Sequence, residues 1–351
     1  MSYGRKFGVH RVISPPFALP QAADRLRADP VCEDDEILID VDVLNIDSAS
    51  FRQLQSACGD DAKTIAQAIL RIVRERGKMH NPVTQSGGML IGRVAEIGRE
   101  LKESERFAEL RVGDRVATLV SLTLTPLYLK AIHRVDLAHG QVFVTGQAVL
   151  FASGLYAKLP TDVPERVALA LFDVCGAPAL VGRVLDRGRD VVVLGAGGKA
   201  GLLALAEARR CGANRVVAVD LGQAAMQRIA RLGAADVVLN VDATQPLAVL
   251  AALDAAGGEA DVVVNCVNVP DTEMTSILCA KDGGIVLFFS MATRFSQAAL
   301  GAEGVGKDVV LRIGSGYCLG HAEHTLALLR ADRKLYDVFV ESFGEEVSTR
   351  E

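Results

Sequence analysis

The chain lacks several features that would assign it to common classes of protein. Its seven cysteines form no C-x-x-C pair and are odd in number, which argues against a disulfide framework or a structural zinc lobe. No run approaches the ~20 consecutive apolar residues of a membrane span, and no apolar segment follows the first six residues as in a signal peptide. The net charge of −5 is mild, and no basic face stands out. We therefore expect a cytoplasmic protein with no nucleic-acid or membrane partner.

Half of the residues are apolar, and the 351 residues are enough for two domains with large cores. The first half is rich in strands, which are predicted over 36–44, 88–98 and 112–120. An amphipathic helix is predicted over 61–77, and the charged stretch 101–107 is predicted to be a surface loop.

From about residue 160, strands and helices alternate. The strands are predicted at 190–194, 215–220, 236–239, 261–266, 284–289 and 309–313. The helices are predicted at 164–174, 199–211, 223–232, 272–279 and 321–330. Near-continuous apolar strands separated by helices predict a parallel sheet that is covered on both faces.

A glycine-rich turn joins the strand 190–194 to the helix behind it. The turn reads Gly195-Ala196-Gly197-Gly198-Lys199-Ala200-Gly201, with Ala200 at the usual third glycine, and Asp220 ends the next apolar run. Such glycines let the backbone approach a pyrophosphate at a helix N-terminus, and the acid can accept ribose hydroxyls. Because a carboxylate would repel a 2′-phosphate, the motif predicts a dinucleotide site that favours NAD over NADP. A nucleotide-free turn is the alternative.

Further cofactor contacts are expected near this turn. Lys199 can contact the pyrophosphate, or it can face solvent from the first turn of the helix. Asn265, Cys266 and Val267 end the strand predicted at 261–266, and strand ends at this edge of such sheets meet the cofactor.

This two-part layout resembles the medium-chain dehydrogenase/reductase superfamily. The similarity rests on residues 36–51, 87–98, 112–116, 195–201 and 232–240. It implies an α/β protein with a GroES-like, β-rich catalytic domain and a doubly wound Rossmann domain with a parallel sheet. In that superfamily the last segment returns to the first domain. The resemblance therefore implies a catalytic domain of residues 1–160 and 315–351 and an NAD-binding domain of residues 161–314.

Most zinc ligands of the superfamily's alcohol dehydrogenases are missing. Asp47 stands where those enzymes have a cysteine, and Gly87-Gly88-Met89 stands where they have Gly-His-Glu. Cys175 occupies the third ligand position. Since a catalytic zinc needs three protein ligands, we expect no bound metal.

Longer segments resemble one small branch of the superfamily, and they cover residues 45–51, 77–84, 86–92, 117–126, 154–160 and 304–308. That branch implies oxidative deamination of a small diamino acid, in which a carbon gives hydride to NAD and water then releases ammonia. An amine can expel hydride with its own lone pair and becomes a cationic iminium, so a Lewis acid at the nitrogen would oppose the reaction. The site needs a base instead.

Asp47 is the first catalytic candidate, because the resemblance places it near the nicotinamide, where it can hold the substrate ammonium and stabilise the iminium. A turn acid that caps backbone N–H groups is the alternative, and the identity of the base stays open. Lys78 can act as a desolvated base or as a carboxylate ligand, or it can be solvated. His80 can act as a base or relay, or it can be satisfied by a loop carbonyl. The candidate substrate-binding residues are Ser48, Ser50, Asn81, Thr84 and Ser86.

Other interpretations stay open. A zinc-free reductase of the quinone-oxidoreductase kind is the first, although those enzymes usually prefer NADPH and lack an acid at the position of Asp220. An alcohol or polyol dehydrogenase with unusual zinc ligands is the second, and a non-catalytic NAD-binding sensor is the third. Residues 308–313 resemble an edge strand through which relatives pair. A bare apolar edge is an aggregation liability, so we expect a homodimer or a higher homo-oligomer.

Overall fold

The computed structural model describes residues 4–344. The chain divides into two compact units between Leu159 and Pro160, next to the boundary predicted at residue 160. The first unit holds a six-stranded antiparallel sheet and the second a six-stranded parallel sheet. The predicted α/β fold class is therefore confirmed.

The first unit is built on strands β1 (Val12–Ser14), β2 (Arg25–Leu26), β3 (Glu36–Asn45), β4 (Met89–Ile97), β5 (Arg115–Thr118), β6 (Leu127–Asp136), β7 (Gln141–Phe151) and β8 (Tyr156–Lys158). Its helices are α1 (Ser48–Cys58), α2 (Ala62–Arg76) and the short α3 (Arg99–Lys102). The large sheet has the order β6-β7-β3-β4-β5-β8, and β1 pairs with β2 separately. Strand β3 lies near the middle of the sheet and leads directly to Asp47.

Helix α2 confirms the amphipathic helix predicted over 61–77. Asp61 caps its first turn by accepting the N–H of Thr64 at 2.7 Å, and Gly77 ends it with a φ of 66°. A Cβ at Gly77 would lie 2.1 Å from the carbonyl oxygen of Leu26, so the angle and the close contact both require glycine. The helix packs against β6, and its buried residues are Ile65, Ala68, Ile69, Ile72 and Val73.

Two segments of the first unit differ from the sequence prediction. Residues 101–107 are not a plain surface loop, because they contain the end of α3 and a 3-10 turn at Glu105–Phe107. Leu101 and Phe107 are buried there. The sequence prediction missed these two apolar residues because the residues around them are charged. Helix α1 was not expected either, because its polar sequence shows little helical periodicity.

A buried ion pair fixes the amino-terminal segment against the start of β3. Arg11 and Glu36 are fully buried, and the guanidinium donates to the two carboxylate oxygens at 2.8 and 2.5 Å. His10 Nε2 lies 2.7 Å from Glu36 Oε1. Burial alone would raise the pKa of Glu36, but the hydrogen bonds from His10 and Arg11 outweigh it and lower the pKa to about 2. Glu36 is therefore a charged carboxylate at neutral pH.

The second unit is a doubly wound parallel sheet. Its strands are β9 (Asp190–Leu194), β10 (Arg215–Asp220), β11 (Val237–Asn240), β12 (Ala260–Asn265), β13 (Ala280–Phe288) and β14 (Val309–Ile313). Its helices are α4 (Glu165–Phe172), α5 (Gly176–Val184), α6 (Lys199–Arg210), α7 (Gln223–Leu232), α8 (Pro246–Ala255), α9 (Glu273–Leu278), α10 (Phe295–Gly304), α11 (His321–Ala331) and α12 (Arg333–Phe343). The strand order is β11-β10-β9-β12-β13-β14. Because this order reverses between β9 and β12, ligands are expected at the carboxyl ends of these strands.

The carboxyl-terminal segment differs from the expected domain assignment. Helix α11 contacts α4 and α5, and α12 contacts α4 and α7, so the described part of residues 315–351 belongs to the second unit. The hydroxyl of Thr325 donates to the carbonyl of Cys175 at 3.0 Å. The apolar faces of the two helices bury Leu329 and Phe339 in this unit. Residues 345–351 lie outside the described residues.

All seven cysteines carry free thiols, as their scattered spacing indicates. Within residues 4–344, no single helix is long and apolar enough to cross a membrane. Helices α4 and α5, bent by 47° relative to each other, meet the length and composition criteria only as a pair.

Candidate active site and dinucleotide-binding turn

Asp47 lies between β3 and α1 and caps the helix. Its Oδ1 accepts the N–H of Ser50 at 2.9 Å, so the capping role considered from the sequence is present. Its Oδ2 is buried and has no hydrogen-bond partner among the described residues. An unpartnered, buried carboxylate oxygen is costly unless a donor or a cation meets it. Oδ2 is therefore available to a ligand.

Glycine at position 88 lets the start of β4 approach Asp47. Gly88 has a φ of 103°, and an added Cβ would lie 2.1 Å from the carbonyl oxygen of Asn45 and 2.8 Å from the backbone nitrogen of Asp47. Any side chain at position 88 would therefore require the backbone to move. The next residue, Met89, is buried at the start of β4.

Three hydroxyls form a triangle beside the carboxylate. Ser50 Oγ lies 2.7 Å from Thr84 Oγ1 and 2.8 Å from Ser86 Oγ, and the oxygens of Ser86 and Thr84 are 2.9 Å apart. The Ser86 hydroxyl also donates to Asp47 Oδ1 at 3.0 Å. Ser50 is fully buried, whereas Thr84 and Ser86 are half-buried. The structure thus brings four predicted site residues together, and we call Asp47, Ser50, Thr84 and Ser86 the Asp47 cluster.

Asn81 holds the loop that carries two of these hydroxyls. The residue is fully buried, and its Oδ1 accepts the N–H of Val83 at 2.9 Å. Its Nδ2 donates to Gln53 Oε1 at 2.9 Å and to the carbonyl of Ser50 at 3.4 Å. Asn81 therefore positions the loop against α1. Sequence reasoning missed Gln53, because no spacing signal marks α1.

Lys78 is buried and is held by backbone carbonyls. Its Nζ donates to the carbonyls of Pro20 and Gln21 at 2.7 and 3.2 Å. Burial, together with the charge of Arg76, lowers the pKa of Lys78 to about 8. Within residues 4–344, no hydrogen bond joins Lys78 to the Asp47 cluster. These contacts hold residues 20–21 against the segment that follows α2. The catalytic role of Lys78 stays a prediction.

His80 follows in the same segment and is also buried. Burial lowers the pKa of His80, and the charge of Lys78 adds to the effect, so the ring is neutral at physiological pH. Its Nδ1 has no hydrogen-bond partner among the described residues. The catalytic role of His80 stays a prediction. Ser48 begins α1, but its side chain is outside what the structure describes.

The glycine-rich turn has the close contacts that a dinucleotide site needs. Gly195 has a φ of 73°. A Cβ at Gly201 would lie 2.1 Å from the carbonyl oxygen of Gly195. A Cβ at Gly197 would lie 2.7 Å from that of Ala225. At Gly198, in contrast, the nearest atom would be 3.5 Å away. Gly198 caps α6 without a side-chain hydrogen bond, so the first-turn N–H groups can receive an anion on this open side.

The two residues that follow Gly198 begin α6. Lys199 Nζ donates to Asp173 Oδ2 at 2.5 Å, so its ammonium is paired with an acid and is not isolated above the turn. Ala200 is buried in the same helical turn. The pyrophosphate contact predicted for Lys199 stays a prediction.

Asp220 ends β10 and contacts the glycine-rich turn. Its Oδ2 accepts the N–H of Gly197 and its Oδ1 the N–H of Leu221, each at 2.7 Å. A carboxylate offers about four acceptor positions, so positions remain for ribose hydroxyls. Arg228 on α7 donates from Nε to the carbonyl of Gly197 at 2.7 Å. Sequence reasoning missed Arg228, because its position on an ordinary amphipathic helix carries no signal.

The end of β12 lies against the same turn. A Cβ at Gly195 would lie 2.9 Å from the backbone of both Cys266 and Val267. Asn265 is fully buried; its Nδ2 donates to Thr272 Oγ1 at 2.8 Å and its Oδ1 accepts the N–H of Val267 at 2.9 Å. Cys266 and Val267 therefore adjoin the turn, while the Asn265 side chain fixes the path of the chain behind them.

Cys175 and a group of three residues near the amino terminus carry side chains of metal-ligand type. The thiol of Cys175 donates to a backbone carbonyl at 3.2 Å, and burial raises its pKa to about 12. His10, Glu33 and Asp35 place ligand atoms within 4.8 Å of one another. Arg5 donates to both of these carboxylates, which makes the group part of an ion-pair network.

Comparison with known proteins assigns the chain to a family. Residues 10–160 match the family described as the L-erythro-3,5-diaminohexanoate dehydrogenase N-terminal domain, and residues 200–304 match the family described as zinc-binding dehydrogenase. An L-erythro-3,5-diaminohexanoate dehydrogenase of Acetoanaerobium sticklandii is 50% identical over 93% of this chain and 95% of the relative. The enzyme of that name from Fusobacterium nucleatum is 48% identical over 98% of this chain and 100% of the relative.

Solved structures show the same fold at low identity. A zinc-binding dehydrogenase from Clostridium scindens has a TM-score of 0.53 at 16% identity, covering 86% of this chain and 82% of its own. An alcohol dehydrogenase from Thermus has a TM-score of 0.54 at 17% identity, covering 90% and 88%. The fold is thus that of the medium-chain dehydrogenases, and a dehydrogenase with this Rossmann-like unit uses a nicotinamide cofactor. The chain is an oxidoreductase and belongs to the L-erythro-3,5-diaminohexanoate dehydrogenase family.

Proposed function

We propose that the protein carries out NAD-dependent oxidative deamination of L-erythro-3,5-diaminohexanoate to 5-amino-3-oxohexanoate and ammonia, without a metal ion. The observation that carries this proposal is the buried, unpartnered Oδ2 of Asp47. A charged oxygen that has lost its contact with water favours a cationic partner. The C3 ammonium group of a diamino acid supplies that cation and the donor hydrogens.

Asp47 acts as the base in this proposal. Its Oδ1 is already bound by the Ser50 N–H and the Ser86 hydroxyl, and these two bonds orient the carboxylate while it is charged. Its Oδ2 takes a proton from the C3 ammonium, and the nitrogen lone pair then assists loss of hydride from C3. A bound nicotinamide supplies the hydride acceptor. The nitrogen is positively charged as an ammonium before the proton is taken and again as an iminium after hydride loss. Asp47 stabilises the ammonium as a carboxylate, and it stabilises the iminium once the proton has left the carboxyl group.

Metal independence is supported by the residues at the expected ligand positions. A histidine at position 88 would need a Cβ 2.1 Å from the Asn45 carbonyl oxygen, and Met89 offers only a thioether, which is a poor ligand for zinc. The thiol of Cys175 is already hydrogen-bonded to a backbone carbonyl. Asp47 alone offers an anionic oxygen, and one ligand does not hold a catalytic zinc.

A preference for NAD over NADP is supported by Asp220. Its carboxylate is anchored on the glycine-rich turn through Gly197, at the position where an adenosine ribose is expected. A 2′-phosphate would meet this negative charge. The glycine-rich turn fits a pyrophosphate because Gly198 is open on one side and the first turn of α6 is uncapped.

A homodimer or larger homo-oligomer is also proposed. Strand β14 is an edge strand, and among residues 4–344 it pairs with β13 alone. It exposes Val310 and Ile313 by 51% and 58%. An apolar edge with unpaired backbone groups is a template for pairing with a second strand. Sedimentation should give a dimer or larger species, and Val310→Lys should weaken it. A stable monomer would contradict this part of the proposal.

A substrate screen tests the function. NADH absorbance is followed with L-erythro-3,5-diaminohexanoate, ordinary α-amino acids and simple alcohols, each with NAD and with NADP, and the protein is purified without chelator for metal analysis. We expect activity with the diamino acid and NAD, release of ammonia, and no stoichiometric zinc. Activity on alcohols alone, or stoichiometric zinc that activity requires, would contradict the proposal.

A further inference from the structure

The hydroxyl triangle is short of one proton. Four oxygen–oxygen contacts of 2.7–3.0 Å join the Asp47 cluster: three between the hydroxyls of Ser50, Thr84 and Ser86, and one from Ser86 to Asp47 Oδ1. Each hydroxyl carries one hydrogen, so three hydrogens serve four contacts among the described side chains. One contact therefore has no hydrogen while Asp47 is a carboxylate.

A fourth proton completes the cluster. When Asp47 carries a proton and directs it to Ser86, the three hydroxyls can donate around the triangle in one direction. Every one of the four contacts then holds a hydrogen, and Ser86 accepts two of them, which its two lone pairs allow. The cluster can therefore store one proton in a fully hydrogen-bonded arrangement.

The proposed reaction releases one proton in each turnover. Oxidation of an ammonium-bearing carbon to a ketone by NAD consumes one water and yields one ammonium ion and one proton. The proton that Asp47 takes from the substrate must therefore leave the site before the next cycle. Ser50 is fully buried, whereas Thr84 is half-buried between the exposed residues Val83 and Gln85. Ser86 is also half-buried but is followed by the buried Gly87, so Thr84, with exposed residues on both sides, is the hydroxyl better suited to meet water.

We propose that Ser86 and Thr84 form the path by which the proton leaves Asp47, with Ser50 holding the two hydroxyls in place. This inference rests on the proposed function. After Oδ2 has accepted the proton, a half-turn of the neutral carboxyl group exchanges its two oxygens and directs the new O–H bond to Ser86. Ser86 Oγ accepts this proton while its own passes to Thr84 Oγ1, and the hydrogen of Thr84 passes to water. Asp47 is again a carboxylate, and each hydroxyl has kept one hydrogen.

The three hydroxyl residues act through Asp47 and are therefore positioning residues. Ser86→Ala and Thr84→Val break the path, while Thr84→Ser keeps a hydroxyl at its outer end. Ser121→Ala is a matched control, because Ser121 accepts the Thr123 hydroxyl at 2.9 Å in the same unit but is not hydrogen-bonded to a carboxylate among the described residues. Each variant is assayed as the full chain with the diamino acid and NAD, in light and heavy water and over a range of imidazole concentrations.

We expect kcat to fall about tenfold or more in Ser86→Ala and Thr84→Val, since a positioned proton-transfer group contributes a rate factor of about this size or larger. The KM of both variants should stay within about twofold of the wild-type value. Added imidazole should restore kcat in these two variants, because a small base can carry the proton in place of the lost hydroxyl. Their solvent isotope effect should exceed that of the wild type. Thr84→Ser should retain a higher kcat than Thr84→Val, and Ser121→Ala should behave as wild type.

Two results would overturn the inference while leaving the proposed function intact. One is an unchanged kcat in both broken-path variants. The other is a loss of kcat that imidazole does not restore and that leaves the isotope effect unchanged, since hydroxyls that only support the helix cap would give this pattern. If the wild type does not oxidise the diamino acid, the proposed function fails first and the proton path fails with it.

Discussion

Replacing Asp47 by asparagine separates the two tasks that the structure assigns to this side chain. Asparagine keeps an oxygen for the N–H of Ser50, which Asp47 accepts at 2.9 Å, and it is as good a helix N-cap as aspartate. The free energy of unfolding should therefore change by less than about 0.5 kcal/mol. The other atom becomes an NH2 group, which neither accepts a proton nor attracts an ammonium. We expect kcat to fall by about 10²–10⁴, which is about 3–5 kcal/mol of barrier.

The assay combines initial rates of NADH formation, urea unfolding and calorimetric titration with NAD. NAD affinity should be unchanged, and KM for the diamino acid should rise. Asp61→Asn is the matched control, because Asp61 caps α2 through the N–H of Thr64 and is outside the candidate site. Asp47→Ala should lose the cap as well and cost about 1 kcal/mol of stability. A kcat for Asp47→Asn within threefold of the wild type would refute the role of Asp47 as base.

Three further substitutions have defined outcomes. Asp220→Ala should raise the KM for NAD and improve the relative use of NADP, and steady-state kinetics with an unchanged preference for NAD would contradict the role of Asp220. Glu36→Gln should lower the free energy of unfolding by about 3 kcal/mol at pH 7, since the pKa falls from 4.5 to about 2. A lowered pKa stabilises the folded state fully only above the pKa of the unfolded chain. The difference in the free energy of unfolding between wild type and Glu36→Gln should therefore persist down to about pH 4.5 and decline toward pH 2, and urea unfolding across this range measures it. Gly201→Ala should weaken NAD binding and lower the melting temperature, since the added Cβ would lie 2.1 Å from the Gly195 carbonyl oxygen. Unchanged NAD affinity and an unchanged melting temperature would show that the turn can relax.

The strands of the second unit were predictable to within a few residues, because their signals are local and strong, whereas helices α5, α8, α10 and α12 were not predicted. Strand β9, strand β10, helix α7 and strand β14 have the bounds predicted for them. Buried parallel strands are continuous apolar runs, and glycine or acidic residues mark their ends. Residues 315–351 were expected in the first unit, whereas α11 and α12 belong to the second. An apolar face on a helix indicates that the helix packs, but it does not identify the elements that it packs against.

The candidate site was predictable in its membership but not in its connections. Ser50, Thr84 and Ser86 were candidates because they flank Asp47 or lie in a polar segment, yet the 2.7 Å contact between Ser50 and Thr84 joins residues far apart in the chain. Lys78 shows the opposite case, since the carbonyls that hold its ammonium belong to Pro20 and Gln21. Every residue has a backbone carbonyl, so the sequence does not indicate which distant carbonyls a buried lysine will contact.

The glycine at position 88 also bears on how this branch can change. A single substitution to histidine would place a side chain where the Asn45 carbonyl and the Asp47 nitrogen already lie. Return to a metal-dependent alcohol dehydrogenase therefore requires the strand start to move before the first ligand is useful. A histidine at position 88 would therefore lower the stability of the fold before it could contribute to metal affinity.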